Sequence, residues 1–513
     1  MSNLASAVRN FLKDSQFNVP QYGVEDWGRK GFYLLATVFL TYGISLGLYR
    51  LTLSPLSKIP GPKLAALTYW YESYYEVWQG GQFFRALDEM HKKYGPVVRI
   101  NPDEIHFNDP DFLDALYPGP GRKTGKPKFV GVRSGTPHSI VATVDHDMHR
   151  RRRNAIAPFF SGASIRRLEP IMKEYMAKIL SRMEQSGKRS EVVELHRVFK
   201  ACTSDLITTY AFGDSFNFID EKEYGKSYFD AVDGFFGLTH IFGNFPWFAT
   251  LVRSVPAWVF NAVFPSMREV SEKQEWWIKK VHEIRSSHDP ERIKNTIFGG
   301  ILNSSLPEEE KTDERLASEA QLVIFAGEGT TVYQLLANPG ELQKLKDELH
   351  AAIPVGERGE IPAFSQVDGL PYFNAVIQEV IRLHPGTMNR QEYVLHPGTV
   401  TSISPLITHM NPDVFEDPYE FRPQRWIDNP KLSRAFMGFS RGTRSCVGMT
   451  LARREMAIVL ASLFLKYDVY RGQKGPTLEL YDTIRARDID ANLDYIIPLP
   501  AKGSLGLRVR IRN

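Results

Sequence analysis

Phe439-Ser440-Arg441-Gly442-Thr443-Arg444-Ser445-Cys446-Val447-Gly448 runs straight into an apolar helical segment, Leu451 to Tyr467. One lone cysteine therefore sits at the mouth of a helix. The helix dipole and the free backbone N–H groups there favour a thiolate, and Arg441 and Arg444 add positive charge. Gly442 and Gly448 let the backbone approach something flat and bulky where a Cβ would collide. A thiolate in such a loop suits two tasks, nucleophile or axial ligand to a metal already held by something else. A nucleophile needs a base, and this segment contains no histidine, so a base would have to come from elsewhere in the chain.

The rest of the chain frames that choice. Its 513 residues, 43% of them apolar, are enough for a large core and exclude a disordered chain or a small disulfide-stapled fold. Lys plus Arg number 63 against 59 Asp plus Glu, and the small net charge of +4 argues against nucleic acid as a partner. Cys202 and Cys446 are the only cysteines, too few for a disulfide framework or a four-thiolate zinc site. Gly31 to Tyr49 carries no charged side chain and is flanked by Arg29, Lys30 and Arg50. At about 1.5 Å per residue it is long enough for a single-pass membrane anchor, and basic residues at both ends leave its orientation open. The expected organisation is an N-terminal segment (1–30), a transmembrane helix (31–49), a proline-rich hinge (50–62) around Pro60-Gly61-Pro62, and one globule (63–513). Periodicity predicts helices over Arg315–Phe325, Glu341–His350, Tyr372–His384 and Leu451–Tyr467. Short strands are predicted at Val97–Ile100, Thr399–Ser404 and Leu505–Ile511. The fold class is mainly α with minor β.

The loop resembles the cytochrome P-450 superfamily of haem-thiolate monooxygenases, whose F-x-x-G-x-R-x-C-x-G pattern is matched by Phe439, Gly442, Arg444, Cys446 and Gly448. The resemblance implies a large helical domain with a small β-rich region. It also implies haem b held by Cys446 as proximal iron ligand, with Arg444 on a propionate and Phe439 shielding the thiolate. Cys202, in apolar helical sequence, is expected to be inert. Glu379 and Arg382 lie three residues apart on one apolar helix, and the resemblance pairs them with Arg425 of Phe421-Arg422-Pro423-Gln424-Arg425 as a buried structural ion pair. Ala326-Gly327-Glu328-Gly329-Thr330 is similar to the family's A-G-x-(D/E)-T oxygen-binding segment. Thr330 then assists proton delivery, while Gly329 stands at the acid's position and Glu328 one residue, about 100°, away. Counting back from Pro158 and Ser161 gives Arg153 and His149 as further propionate contacts. Arg150 to Arg152 with Arg441, Arg453 and Arg454 form an expected basic face for an acidic NADPH-dependent flavoprotein reductase.

Two segments are shorter than the family pattern. After Thr331 the chain reaches Pro339 roughly seven residues early, about 10 Å of helix. After Arg390 it reaches Pro397-Gly398 about ten residues early, which predicts loss of most of a hairpin and leaves Arg390 to stand in for a family propionate contact. Phe229 to Phe264 is dense in Phe and Trp and reads either as core or as the lip of a channel resting on lipid. The expected activity is hydroxylation or epoxidation of a hydrophobic terpenoid or polyketide intermediate. The expected place is the endoplasmic reticulum membrane, catalytic domain in the cytosol. The alternatives are a reductase-independent haem-thiolate isomerase or dehydratase, or an inactive haem-binding variant.

Overall fold

The computed structural model describes residues 24–119, 121–127, 131, 133, 136–324, 331–385, 391–395 and 399–512. Contacts divide the chain into two compact units, Met1–Ile59 and Pro60–Asn513. In the first, helix α1 (Val24–Leu48) continues into a π-helical turn, Tyr49–Leu53. Among the described residues it alone is long and apolar enough to cross a membrane: Arg29–Leu53 has a mean hydropathy of 1.6 and none of it is buried. The expected span of 31–49 is therefore extended at both ends. Its Phe32, Leu35, Phe39 and Leu40 all face outward, as a helix apolar all round must do when no core surrounds it.

The second unit is mainly helical. Along it run α2 (Phe83–Tyr94), β1 (Val97–Asn101), β2 (Glu104–Phe107), α3 (His146–Ile156), α4 (Glu169–Lys188), β3 (Val192–Glu194), α5 (Leu195–Phe212) and α6 (Thr239–Asn244). Then come α7 (Asp313–Ile324), α8 (Thr331–Ala337), α9 (Pro339–Ala352), α10 (Pro371–Leu383), β4 (Gln391–Leu395), β5 (Thr399–Ile403), α11 (Met449–Lys466), β6 (Asp468–Val469), β7 (Thr477–Leu480), β8 (Leu493–Tyr495), β9 (Ile497–Leu499) and β10 (Arg508–Arg512). The second unit begins at Pro60, whose carbonyl accepts from Arg99 N–H at 2.7 Å.

Among the described residues the strands form three sheets, ordered β1-β2-β5-β4, β3-β10-β7-β6 and β8-β9. The first brings sequence-distant pieces together, with β2 parallel to β5 through Glu104↔Val400 to Phe107↔Ile403. The shortened segment after Arg390 still forms a hairpin. β4 pairs antiparallel with β5 from Gln391↔Ile403 to Leu395↔Thr399. Five paired residues on each side are enough to close it, because β5 is already held by β2 on its other edge. Leu505 to Leu507, expected as strand, lie before β10, which starts at Arg508. The main core is built from α4, α5, α10 and α11, with Ile179, Phe212, Phe373, Val376, Leu463 and Phe464 fully buried.

Candidate functional site

The cysteine loop is closed by its own backbone. Cys446 N–H donates to Phe439 C=O at 2.8 Å, Ser440 N–H to Met437 C=O at 2.8 Å and Ser445 N–H to Gly442 C=O at 3.2 Å. Gly442 has φ +64°, and a Cβ there would come within 3.0 Å of the carbonyl oxygens of Tyr117 and Pro118. That glycine is required by the neighbouring main chain, a different reason from the one its motif suggested. Gly448 has an ordinary φ of −83° and caps α11. A Cβ on it would rest 3.9 Å from Cys446 Sγ and 3.8 Å from Phe160, ordinary contact. On the far side Gly438 lies so close to α10 that its Cβ would overlap Ile381 Cγ2, at 2.1 Å. The loop is thus pressed between α10 and the chain at Tyr117–Pro118.

Cys446 keeps accessible surface although protein surrounds its sulfur on most sides. Burial raises its thiol pKa, while the Gly448 N–H and the Arg153 charge pull the other way. Arg153, on α3, donates through Nη1 to Ser445 C=O at 2.6 Å, which brings its charge to the cysteine's side. Arg444 is buried, and its guanidinium donates to the carbonyls of Thr143 at 2.8 Å, Val144 at 3.1 Å, Thr124 at 3.4 Å and Asp145 at 3.4 Å. His149 is buried nearby, and burial together with Arg444, Lys126 and Arg153 lowers its pKa to about 3. It is a neutral imidazole at physiological pH. Arg153 thus brings positive charge to Cys446, and Arg444 with the neutral His149 forms a second group of N–H donors next to Arg153. A flat iron-binding macrocycle carrying two carboxylates matches that donor set: a sulfur for the metal and charge-assisted donors for the acids. Phe439 stacks under the Arg453 guanidinium, 5.6 Å from the ring centroid, and packs on the core.

The expected ion pair is present. Glu379 Oε1 accepts from Arg382 Nη2 at 2.8 Å and Arg425 Nε at 3.0 Å, and Oε2 accepts from Arg382 Nε at 2.9 Å. Two partners were missed in the sequence. Trp426 Nε1 donates to Glu379 Oε2 at 2.9 Å, a neighbour of Arg425 that could have been read from Arg425-Trp426. His409 joins the cluster to the cysteine loop: Met437 N–H donates to its Nε2 at 2.8 Å, so Nδ1 carries the proton and donates to Arg382 C=O at 3.0 Å. Nothing in the spacing of His409 announced that bridge.

Other expectations fare unevenly. Ala326 to Thr330, with Glu328 and Thr330, lie outside the described residues, between α7 and α8; so does Arg390. The basic face is thinner than its sequence suggests. Arg152 turns inward to Glu310 at 2.6 Å and Thr143 Oγ1 at 2.7 Å, and Arg454 pairs with Asp368 at 2.8 Å. Arg453 covers Phe439, Arg441 reaches Asp114 at 3.3 Å, and Arg150 and Arg151 are exposed. Of the aromatic stretch, Phe229, Phe236 and Phe242 are core, whereas Trp247, Trp258 and Phe264 are 66%, 76% and 52% exposed. The core reading holds for Phe229, Phe236 and Phe242. Cys202 lies on α5, where burial pushes its thiol pKa up, consistent with an inert cysteine.

The family model for cytochrome P450 matches residues 60–483. The chain belongs to the cytochrome P450 family. It is a P450 monooxygenase, and the family's cofactor is a thiolate-ligated haem. The chain is 35% identical to the cytochrome P450 monooxygenase tpcC of Cochliobolus heterostrophus, over 93% of this chain and 96% of that protein. It is 36% identical to the tryptophan 6-hydroxylase fscE of Fusarium equiseti (94% and 97%) and 34% identical to the fusicoccadiene C-8 hydroxylase of Phomopsis amygdali (90% and 93%). The P450 thus spans nearly the whole length of these fungal relatives.

Proposed function

We propose that this P450 hydroxylates or epoxidises a hydrophobic secondary-metabolite intermediate, terpenoid or polyketide, with Cys446 as the haem-iron ligand. The observation that carries the reading is the Cys446 loop, whose cysteine keeps accessible surface and meets the Gly448 N–H and the Arg153 charge, with Arg444 and His149 close to Arg153. When bound, the haem supplies the activation of dioxygen. The chain's own residues do the rest. Gly448 N–H and the Arg153 charge offset part of the cost that burial places on a Cys446 thiolate. Arg444, Arg153 and neutral His149 bind and orient the propionates. Phe439 shields the sulfur from water. Glu379, Arg382 and Arg425 keep the loop seated on α10. By its place in the motif Thr330 would assist proton delivery, and Glu328, one residue from the motif's acid position, is the nearest carboxylate in the sequence.

Electrons come from NADPH through a separate flavoprotein reductase that docks on the surface bearing exposed Arg150 and Arg151. The apolar Arg29–Leu53 helix anchors the chain in the endoplasmic reticulum membrane, with the globule in the cytosol. That the relatives include hydroxylases of tryptophan and of fusicoccadiene supports hydroxylation as the reaction type. The test is the full chain in microsomes with a reductase. The ferrous carbonyl complex should show the thiolate-type absorption, Cys446→Ala should lose it, and oxidised product should need both NADPH and reductase. Turnover without either would overturn the monooxygenase reading in favour of a reductase-independent rearrangement.

A further inference from the structure

The buried and half-buried arginines near the cysteine loop find oxygen acceptors, with one exception on α11. Arg152 has Glu310, Arg441 has Asp114 and Arg454 has Asp368. Arg153 is bonded to the Ser445 carbonyl, and Arg444 to the carbonyls of Thr143 and Val144. Arg453 is half-buried, and its Nε has neither accessible surface nor a partner. Among the described residues no carboxylate, hydroxyl or carbonyl receives any part of its guanidinium. The group lies instead over the Phe439 ring, 5.6 Å from the centroid. Burial draws its pKa down, with no carboxylate to oppose the shift. A cation taken partly out of water without a counter-charge is destabilising until negative charge arrives nearby.

Phe439 is where that charge meets the site. Its carbonyl takes the Cys446 N–H at 2.8 Å, so ring and sulfur belong to one closed loop. Arg453 reaches the ring from α11, which is capped by Gly448, the residue whose N–H is bonded to the Cys446 sulfur. The loop is therefore tied to the start of its own helix twice, once at the sulfur and once at the ring. An aromatic face attracts a guanidinium most where water is excluded, so the stack is a stable seat for the charge. Arg153 also brings a cation to Cys446, but its guanidinium is engaged by Ser445. Arg453 has no such engagement.

We propose that Arg453 is a positioning residue for electron uptake: its unpaired charge, seated on the Phe439 ring, makes the thiolate-ligated haem easier to reduce. This rests on the haem reading of Cys446 given above. The step is the transfer of one electron from the reductase to ferric haem, giving ferrous haem. No bond forms or breaks, and no proton moves. The transfer adds one negative charge beside the thiolate, and a nearby cation that no carboxylate cancels favours that product. For unit charges about 10 Å apart at an effective dielectric constant of about 20, Coulomb's law makes such a preference roughly tenfold. In a one-electron couple tenfold corresponds to about 59 mV. Arg454, one residue on, presents only a dipole because Asp368 balances it.

The test is a mediated redox titration of the full-length, haem-loaded protein in detergent, read from the Soret band. Arg453→Gln keeps a planar group on the ring and loses the charge. Its reduction equilibrium should fall about tenfold, a midpoint about 59 mV more negative. Arg453→Lys keeps the charge without the planar face and should stay within about twofold of the parent. Arg454→Gln, which removes a balanced cation, should also stay within about twofold. The apoprotein gives a reading that needs no haem. Removing an unpaired charge strands nothing, so Arg453→Gln should leave the urea midpoint unchanged or raised, whereas breaking a true pair would lower it. A potential that Arg453→Gln leaves in place, or that Arg453→Lys shifts as far, overturns the proposal. So does an apoprotein destabilised by Arg453→Gln, since the charge would then have a partner. Slower reduction by the reductase at an unchanged potential overturns it too, because Arg453 would then act only in docking. A parent chain without the thiolate-type carbonyl spectrum would instead remove the haem reading itself, and this proposal with it.

Discussion

Replacing Glu379 by glutamine is the sharpest perturbation of the framework that seats the cysteine loop. The carboxylate receives five donors: Arg382 Nε and Nη2, Arg425 Nε, Trp426 Nε1 and the Arg422 backbone N–H at 3.1 Å. Glu379 and Arg382 are fully buried and Arg425 nearly so, so water cannot replace what is lost. Glutamine keeps the shape but removes the counter-charge of two guanidinia. Whichever way its amide turns, the NH₂ meets donors. The remaining acceptors of Arg382, the carbonyls of His409 and Pro418 at 2.8 and 2.7 Å, keep hydrogen bonds but supply no net charge. Stranding one buried charge typically costs about 3–5 kcal/mol, and here two are stranded, so that range is a lower estimate. Against a usual total stability of about 5–15 kcal/mol, the variant should hold its haem poorly or not at all. Urea unfolding of the full chain in detergent, followed by far-UV circular dichroism and haem absorption, measures it. Adding Arg382→Met should recover part of the loss by removing one stranded charge. A single-variant loss under about 1 kcal/mol would mean the cluster behaves like an exposed pair, and the reasoning fails.

Cys446→Ser should leave the far-UV circular dichroism unchanged while abolishing the thiolate-type carbonyl spectrum and product formation together; a serine variant with the parent spectrum would exclude Cys446 as ligand. Glu455, on α11 beside Cys202, borders a cavity of about 30 Å³, room for about one water, and burial pushes its carboxyl up to about 8. A carboxyl raised in the folded state contributes most below pH 4.5 and loses that contribution as pH climbs towards 8. Glu455→Gln should therefore stabilise the chain at pH 7 by on the order of 2–3 kcal/mol and change little at pH 4, as read from denaturant midpoints. Burial, joined by nearby arginines, lowers His149, His384 and His409 to about 3. The unfolded chain takes up protons at about 6.5 that these folded sites refuse until about 3. Stability should thus fall as pH drops below about 6.5, by up to about 4 kcal/mol per pH unit from the three together. His409→Phe should make that slope shallower by about one proton, and an unchanged slope would remove His409 from the set.

Much of the site could be read before any fold was known. The cysteine loop, Glu379-x-x-Arg382 and the apolar run at 31–49 depend on spacing over one or two helical turns, where sequence distance and spatial distance are the same thing. Arg425 was placed correctly because its own short motif marks it. Reading failed where a side chain chooses between partners. Arg152 stands in a run of four arginines and looked solvated, yet it turns inward to Glu310, 158 residues away. The pairing of β5 with β2, far earlier in the chain, likewise left no mark in the local sequence.

From the residues alone came the motif around Cys446 on which the proposed ligand role rests, the helical character of the chain, and the helix long enough for a bilayer, because periodicity and local motifs depend only on neighbours in sequence. Only the folded chain decided how His409 bridges the ion pair to the loop, and that Arg453 lies on Phe439 with no carboxylate to meet it. Such meetings depend on how helices and sheets stack. A buried polar group takes whichever partner packing brings within hydrogen-bond reach, and no local pattern encodes that distance.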